Sequence, residues 1–63
     1  MGDRIRTVRL DRDLTQERLA ELAGLDRQSV NRIEVGVASP RLDSLLRIAD
    51  ALDVSVAALV VDV

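Results

Sequence analysis

Apolar residues recur every three or four positions along the chain, and no stretch of useful length alternates between apolar and polar residues. This spacing predicts amphipathic α-helices rather than strands, because about 3.6 residues complete one helical turn. Five helices are predicted, over about residues 3–11, 16–23, 27–35, 41–52 and 56–60. The predicted fold is therefore all-α, a compact five-helix bundle with short connections.

Polar residues and glycines mark the predicted helix ends. Residues with a side-chain oxygen precede three of the helices and predict N-caps, namely Thr15, Asp26 and Ser55. Gly24 and Gly36 follow the second and third helices, where a positive φ is common, and Asp53 takes this place after the fourth helix. These signals divide the chain into helices with no repeat and no linker between them.

The apolar faces of the helices predict a core made of aliphatic side chains, since the chain has no Phe, Trp or Tyr. The predicted core residues are Ile5, Val8, Leu19, Ala20, Leu22, Ala23, Val30, Ile33, Leu42, Leu45, Leu46, Ile48, Ala49 and Leu52. A chain of 63 residues predicts one small domain, over residues 1–63. Such a domain buries only about 60% of its unfolded surface, so every core contact counts.

The available side chains argue against catalysis. The chain has no Cys and no His, which excludes the usual thiolate and imidazole metal sites and leaves no imidazole to activate a hydroxyl. No apolar run reaches about 18 residues, and the N-terminus lacks the apolar segment of a secretory signal. We therefore expect a cytoplasmic binding protein that is not an enzyme and needs no cofactor or metal.

The charge is unevenly distributed along the chain. All nine positive side chains are Arg, and the formal net charge is −2. Residues 1–41 hold eight Arg against seven acids, a balance of +1, whereas residues 42–63 hold one Arg against four acids, a balance of −3. Because nucleic-acid binding depends on phosphate neutralisation, any such contact is expected in the first two-thirds of the chain.

The segment 16–33 carries the spacing of a helix-turn-helix. Its two predicted helices are joined by a connection so short that they must pack at a steep angle. Close packing needs a small residue at the crossing and a turn residue between the helices, and Ala20 and Gly24 meet these needs. Val30 and Ile33 then anchor the second helix of the pair on the first.

The opposite face of the third helix is polar and free of acids. A helical projection at about 100° per residue places four side chains on one arc, away from the apolar one. They are Arg27, Gln28, Asn31 and Arg32. Arg can bind guanine, and Gln and Asn can bind adenine, in the major groove. The alternative is an ordinary solvated helix face, although such a face usually mixes Glu and Lys.

Arg9 and Glu34 form a second constellation. Arg9 projects toward the buried side of the first helix, and Glu34 lies at the edge of the apolar arc of the third. A partly buried Arg requires a carboxylate partner. We therefore predict an Arg9–Glu34 ion pair between the two helices, the alternative being two independent solvated charges.

Three segments together resemble the Cro and phage-repressor type of helix-turn-helix, the XRE family. They are residues 15–24 (TQERLAELAG), 29–36 (SVNRIEVG) and 40–52 (PRLDSLLRIADAL), and the resemblance extends over about residues 4–60. It implies a lambda-repressor-like DNA-binding domain of five helices. It also implies a bacterial or phage transcriptional regulator that binds a double-stranded operator with two half-sites as a homodimer.

The resemblance implies roles for individual residues. Gln16 matches a phosphate-contacting glutamine, Arg27, Gln28 and Arg32 match base-reading positions with Asn31 between them, and Arg41 lies where the family often contacts the DNA backbone. Arg9 and Glu34 match an interhelical pair. The chain departs from the pattern at Val35, Val37 and Ala38, where the family often has basic or amide residues. Val35 is expected to pack in the loop, the alternative being a contact with a thymine methyl group.

The C-terminal tail is more apolar than a small monomer requires, which indicates a two-fold interface. The candidate dimer residues are Ala57, Leu59, Val60, Val61 and Val63, each with the alternative of completing the monomer core. The apolar tail, the apolar loop after the third helix and the acidic C-terminal third also leave a second function open. This is an antitoxin-like or adaptor module whose main partner is a protein.

Overall fold

The computed structural model describes residues 1–60. These residues form five helices: α1 (Gly2–Asp11), α2 (Gln16–Ala23), α3 (Arg27–Glu34), α4 (Leu42–Leu52) and α5 (Val56–Leu59). Within this range there is no strand, so the predicted all-α five-helix architecture is confirmed. None of these helices is both long and apolar enough to span a membrane.

The helix boundaries differ from the predicted ones by one residue. The first helix already begins at Gly2, and the fifth ends at Leu59. Val35 is the C-cap of α3 rather than its last residue, because its ψ of −2° departs from the values of an α-helix. Arg41 is extended, with φ −68° and ψ 160°, so it precedes α4 instead of opening it.

The predicted N-caps occupy their positions. The Thr15 hydroxyl accepts a hydrogen bond from the Arg18 amide at 3.0 Å, and that of Ser55 accepts one from the Ala58 amide at 3.3 Å. Asp26 takes the N-cap position of α3 with an extended backbone but without a close side-chain bond to the helix amides. Each of these residues ends the preceding connection and begins a helix.

The helix C-termini also follow the sequence signals. Gly24 has φ 68° and ψ 32°, and Asp53 has φ 57° and ψ 45°, so both adopt the left-handed conformation that ends a helix. Gly36 has φ 84° and lies one residue after the cap of α3. These turns reverse the chain within few residues and bring consecutive helices into contact.

The core lies between all five helices. α2 packs against α3 and α4, α1 packs against α3 and α5, and α4 packs against α5. The buried apolar residues are Ile5, Leu19, Ala20, Ala23, Val30, Ile33, Leu45, Ile48, Ala49, Leu52 and Leu59. Val8 is only partly buried against this cluster. All helices therefore contribute to a single cluster of aliphatic side chains.

Three leucines predicted in the core are exposed, so that part of the prediction is wrong. Leu22, Leu42 and Leu46 keep 47%, 69% and 52% of their surface accessible. Leu42 and Leu46 lie about 60° to 100° around α4 from Leu45, which points at the core. In so small a bundle each helix buries a narrow stripe, and residues at its edge meet solvent.

The predicted dimer residues differ in their accessibility. Leu59 is fully buried in the core of its own chain because α5 packs back against α1 and α4, so it is not available to a partner. Ala57 and Val60 are exposed. Val61 and Val63 lie outside the described residues.

Arg4 of α1 and Arg12, which directly follows α1, bind the ends of other helices. Arg4 Nε donates a hydrogen bond to the Ala58 carbonyl oxygen in α5 at 2.9 Å, and Arg12 Nε donates one to the Leu52 carbonyl oxygen at the end of α4 at 2.7 Å. The last carbonyls of a helix have no partner within it, and cations near them are favourable. α1 and the residue that follows it therefore hold the C-terminal half of the bundle in place.

Candidate nucleic-acid interface

The helix-turn-helix unit consists of α2, the turn at Gly24 and α3. The Leu25 amide donates a hydrogen bond to the Ala20 carbonyl oxygen at 2.8 Å, which closes the turn. Ala20, Val30 and Ile33 are buried where the two helices meet. The back of α3 is therefore fixed by apolar contacts, and its opposite face is directed outward.

The outward face of α3 carries the four side chains that the projection grouped together. Arg27, Gln28, Asn31 and Arg32 are all exposed. No described part of the chain covers them, and no acid stands among them on this face. The arrangement presents guanidinium and amide groups to solvent, as a major-groove reading surface requires.

Arg9 and Glu34 form a two-point ion pair between α1 and α3. Arg9 Nε lies 2.7 Å from Glu34 Oε2, and Arg9 Nη2 lies 3.1 Å from Glu34 Oε1. The Glu34 side chain has no accessible surface, and that of Arg9 keeps 8%. Arg9 Nη1 also donates to the Leu14 carbonyl oxygen at 2.7 Å. This geometry matches the interhelical pair expected from the two projections, and it ties the end of α3 to the turn before α2.

Gln16 connects this buried pair to the outer face of α3. Its Nε2 donates to Glu34 Oε1 at 3.1 Å. Its Oε1 accepts from Arg27 Nη1 and from Asn31 Nδ2, both at 3.4 Å. The predicted phosphate residue therefore touches two of the four predicted base-reading residues, a relationship that no local sequence pattern could indicate.

Arg41 lies on the side of α3 that carries Arg32. Its side chain is largely exposed and lies 3.7 Å from an Asp43 carboxylate oxygen, so the pair is loose. Arg41 and Arg32 both line a depression of about 210 Å³ between α3 and the loop before α4. Ser29, Ser39 and Ser44 line the same depression. Cations and hydroxyl donors together are the groups that contact phosphate oxygens.

Arg6 is a cation that the sequence analysis missed. It lines an open cleft of about 470 Å³ between α1 and α3, together with Gln16, Asn31 and Val35. Its exposed side chain makes no ion pair with another described residue. Arg6 stands one helical turn before Arg9 and hence on a neighbouring part of α1. Once Arg9 is paired with Glu34, that spacing places Arg6 near α3.

The loop after α3 exposes its apolar residues. Val35 and Val37 keep 62% and 77% of their surface accessible. The expectation that Val35 packs in the loop is therefore wrong, because α3 ends before it and turns its side chain into the cleft beside Arg6. Val35 contributes an apolar patch to an otherwise polar surface.

Asp26 is the acid nearest to the start of α3. The neighbouring Ser29 side chain is the main cause that lowers the pKa of Asp26 below its ordinary value, and nearby backbone amides and the charge of Arg32 act in the same direction. Its carboxylate is therefore ionised at neutral pH. Within residues 1–60, no three acidic side chains lie close enough together to hold a metal ion.

The sequence is similar to a known protein family and to phage-derived regulators. The family described as helix-turn-helix, HTH_3, matches residues 5–59. The immunity repressor protein of Bacillus phage phi105 is 42% identical over 60 residues, which are 95% of this chain and 42% of that protein. An uncharacterised prophage-derived HTH-type transcriptional regulator of Bacillus subtilis, YonR, is 33% identical over 54 residues, which are 86% of this chain and 50% of that protein. The chain thus spans about half the length of these curated relatives or less.

Solved structures of regulators also have the fold of this chain. The restriction-modification controller protein C.AhdI from Aeromonas hydrophila superposes with a TM-score of 0.90 at 41% identity, over 92% of this chain and 88% of that one. The biofilm regulator SinR in complex with DNA superposes with a TM-score of 0.89 at 31% identity, over 95% of this chain and all of that one. Taken with the match over residues 5–59, these likenesses show that the chain belongs to the HTH_3 helix-turn-helix family.

Proposed function

We propose that residues 1–63 form the DNA-binding domain of a bacterial or phage transcriptional regulator, and that α3 reads base edges in the major groove of double-stranded DNA. The uncovered, acid-free face of α3 carries this proposal. An α-helix fits the major groove, and Arg, Gln and Asn are the side chains that distinguish guanine and adenine there. The DNA complex of the related SinR supports the same use of the fold.

The contacts proposed for α3 are Arg27, Gln28, Asn31 and Arg32 to bases. Gln16 and Arg41 are proposed to bind phosphates on either side and so to set the register of the helix. Arg6 adds a third phosphate contact from α1. The net charge of −2 is compatible with this function because the cations that serve it are concentrated around α3, whereas the acidic excess lies in residues 42–63.

A homodimer would place two copies of α3 on one side of the duplex. Two half-sites about 34 Å apart, one helical turn, match such a two-fold arrangement. The exposed Ala57 and Val60 on and after α5 are proposed to contribute to the interface. This function requires binding alone, without catalysis or a cofactor, and it belongs in the cytoplasm where bacterial and phage operators are found.

Selection of bound duplexes from a random pool, followed by binding titrations, tests the proposal. Binding of the selected duplex should weaken steeply as salt rises, because phosphate contacts release counterions. Arg32→Ala should cost about 1–3 kcal/mol and relax the preference at one base position. If Arg32→Ala binds the selected duplex as tightly and as selectively as the parent protein, α3 does not read bases through this face.

A further inference from the structure

The orientation of the Gln16 amide is set by its buried neighbour. An ionised carboxylate only accepts hydrogen bonds, so the group 3.1 Å from Glu34 Oε1 must be the Gln16 amide nitrogen. The amide oxygen is then turned toward the outer face of α3, where Arg27 and Asn31 both offer donors. The two bonds from Arg9 fix the position of the Glu34 carboxylate, and with it the position of the oxygen that accepts from Gln16.

The four outward side chains consequently fall into two classes. Arg27 and Asn31 each donate to the oriented Gln16 oxygen. Among the described residues, Gln28 and Arg32 make no such bond to Gln16, and Arg32 lies instead at the depression beside Arg41. The buried pair can therefore influence the first two side chains but has no direct route to the other two.

We propose that Glu34 is a positioning residue for base recognition, acting through the Gln16 amide to hold Arg27 and Asn31 in the rotamers that meet the bases. This inference rests on the function proposed above. At 3.4 Å both outer bonds are longer than usual, so a base edge can replace or share them at little cost. One N–H of Gln16 remains for a phosphate oxygen, which would couple the phosphate contact to base reading.

This arrangement predicts that loss of the Gln16 amide changes the base preference at some positions of the duplex and not at others. Side chains that are already held near their bound rotamers lose less conformational freedom when they bind, and this favours the correct base. Without the Gln16 oxygen, Arg27 and Asn31 would gain rotamers and contact wrong bases more easily. If Gln16 served only as a phosphate contact, its loss would instead weaken all sequences by the same factor.

The experiment compares base preferences in Gln16→Met and the parent protein. The preference is the ratio of dissociation constants for the selected duplex and for duplexes changed at single base pairs. Arg27→Ala, Asn31→Ala and Arg32→Ala first assign positions to side chains. In Gln16→Met, the preference at the Arg27 and Asn31 positions should fall by about threefold or more, a typical coupling between residues in contact. The preference at the Arg32 position should stay as in the parent protein.

Two further variants complete the test. Glu17→Met changes an exposed neighbour in the same helical turn and should leave every preference ratio unchanged. Glu34→Gln can either accept from Gln16 or donate to it, so it should lower the preference at the same two positions by a smaller factor. If Glu34→Gln does not fold, Gln16→Met still tests the inference, because the influence proposed for Glu34 passes only through the Gln16 amide, and this variant removes the amide outside the buried core. A folded Glu34→Gln protein whose preference ratios all match the parent protein would contradict the role of Glu34.

The outcomes separate the inference from the function on which it rests. If the parent protein shows no salt-dependent, sequence-selective binding, the proposed function is wrong. If it does, but Gln16→Met weakens binding while all preference ratios stay as in the parent protein, Gln16 is a phosphate contact only and the positioning role of Glu34 is wrong. A fall at the Arg32 position equal to that at the Arg27 and Asn31 positions would also contradict it, because it would indicate a general displacement of α3.

Discussion

Gly2 in the first turn of α1 lies in backbone contact with Ile33 in the last turn of α3. A β-carbon on Gly2 would overlap the Ile33 carbonyl oxygen and would lie 2.8 Å from that of Glu34. Both obstacles are backbone atoms, so no side-chain rotation can relieve them. The approach also brings the positive end of one helix dipole to the negative end of another, which is favourable.

Gly2→Ala is therefore expected to push α1 and α3 apart and to destabilise the domain by about 1–3 kcal/mol, as overpacking does. Urea unfolding measures this loss, and binding to the selected duplex should weaken because the end of α3 moves. Thr7→Ala, an exposed change in the same helix, should stay within about 0.5 kcal/mol of the parent protein. Equal stability of the two variants would show that the contact is not restrictive.

The Arg9–Glu34 pair should behave as a unit. Arg9→Met or Glu34→Leu alone leaves a buried charge without its partner and should cost about 3–5 kcal/mol, enough to unfold much of so small a domain. The double variant should lose clearly less than the sum, because no unpaired charge remains. Urea unfolding of all three variants measures the coupling, and additive losses would contradict it.

The exposed pair of Arg18 and Glu21 provides the matched control for that cycle. Their charged atoms are 3.1 Å apart, but both side chains keep about 60% of their surface accessible. A pair so exposed contributes little because water screens it. Arg18→Ala should therefore change the free energy of unfolding by no more than about 0.5 kcal/mol.

Arg6→Ala should weaken binding to all duplexes by a similar factor and should reduce the salt dependence by about one released counterion. The reason is that Arg6 lines the cleft beside Gln16 and Asn31 without an ion pair among the described residues. Binding titrations at several salt concentrations measure the slope. Arg18→Ala, on the side of α2 away from Gln16, should leave the slope unchanged, and an unchanged slope in Arg6→Ala would remove Arg6 from the interface.

Leu59 and Val60 are neighbours with different expected roles. Leu59→Ala should destabilise the single chain by about 2–5 kcal/mol, because Leu59 is fully buried. Val60→Glu should leave the unfolding of the single chain nearly unchanged but weaken self-association and the binding of a two-half-site duplex. Analytical ultracentrifugation measures the association, and a Val60→Glu protein that associates like the parent would place the interface elsewhere.

The lowered pKa of Asp26 predicts how the stability of the domain changes in acid. Its pKa is lowered in the folded state, chiefly by Ser29, so its contribution to stability is complete above the ordinary value of 3.8 and is lost as pH falls through the lowered one. Asp26→Asn should remove this part of the acid dependence, and Ser29→Ala should reduce it. Urea midpoints measured from about pH 5 down to pH 2 compare the three proteins. Identical acid profiles would contradict the assignment.

Much of the architecture could be predicted because it depends on near neighbours in the chain. Helix periodicity, the cap residues Thr15 and Ser55, and the left-handed residues Gly24 and Asp53 all act within a few positions. The outward face of α3 follows from the same periodicity, since an apolar back requires a polar front. Even the contact between Arg9 and Glu34 could be inferred, because a charge on a buried face requires a partner.

The exposure of Leu22 and Leu46 and the burial of Leu59 could not be predicted in this way. Periodicity gives the direction in which a side chain leaves its own helix, but burial depends on where the neighbouring helices end and how steeply they cross. α5 contributes Leu59 to the core because Arg4 and the turn at Asp53 bring it back onto α1 and α4. These are relationships between residues far apart in the chain.

The sequence by itself determined the five helices, the helix-turn-helix and the set of side chains on the outer face of α3, because these depend on spacing along a single helix. Only the tertiary structure decided that Gly2 touches the end of α3, that Arg6 shares a cleft with Gln16, and that Gln16 joins Glu34 to Asn31. Distances between helices arise from packing the whole core at once, and no local pattern contains them.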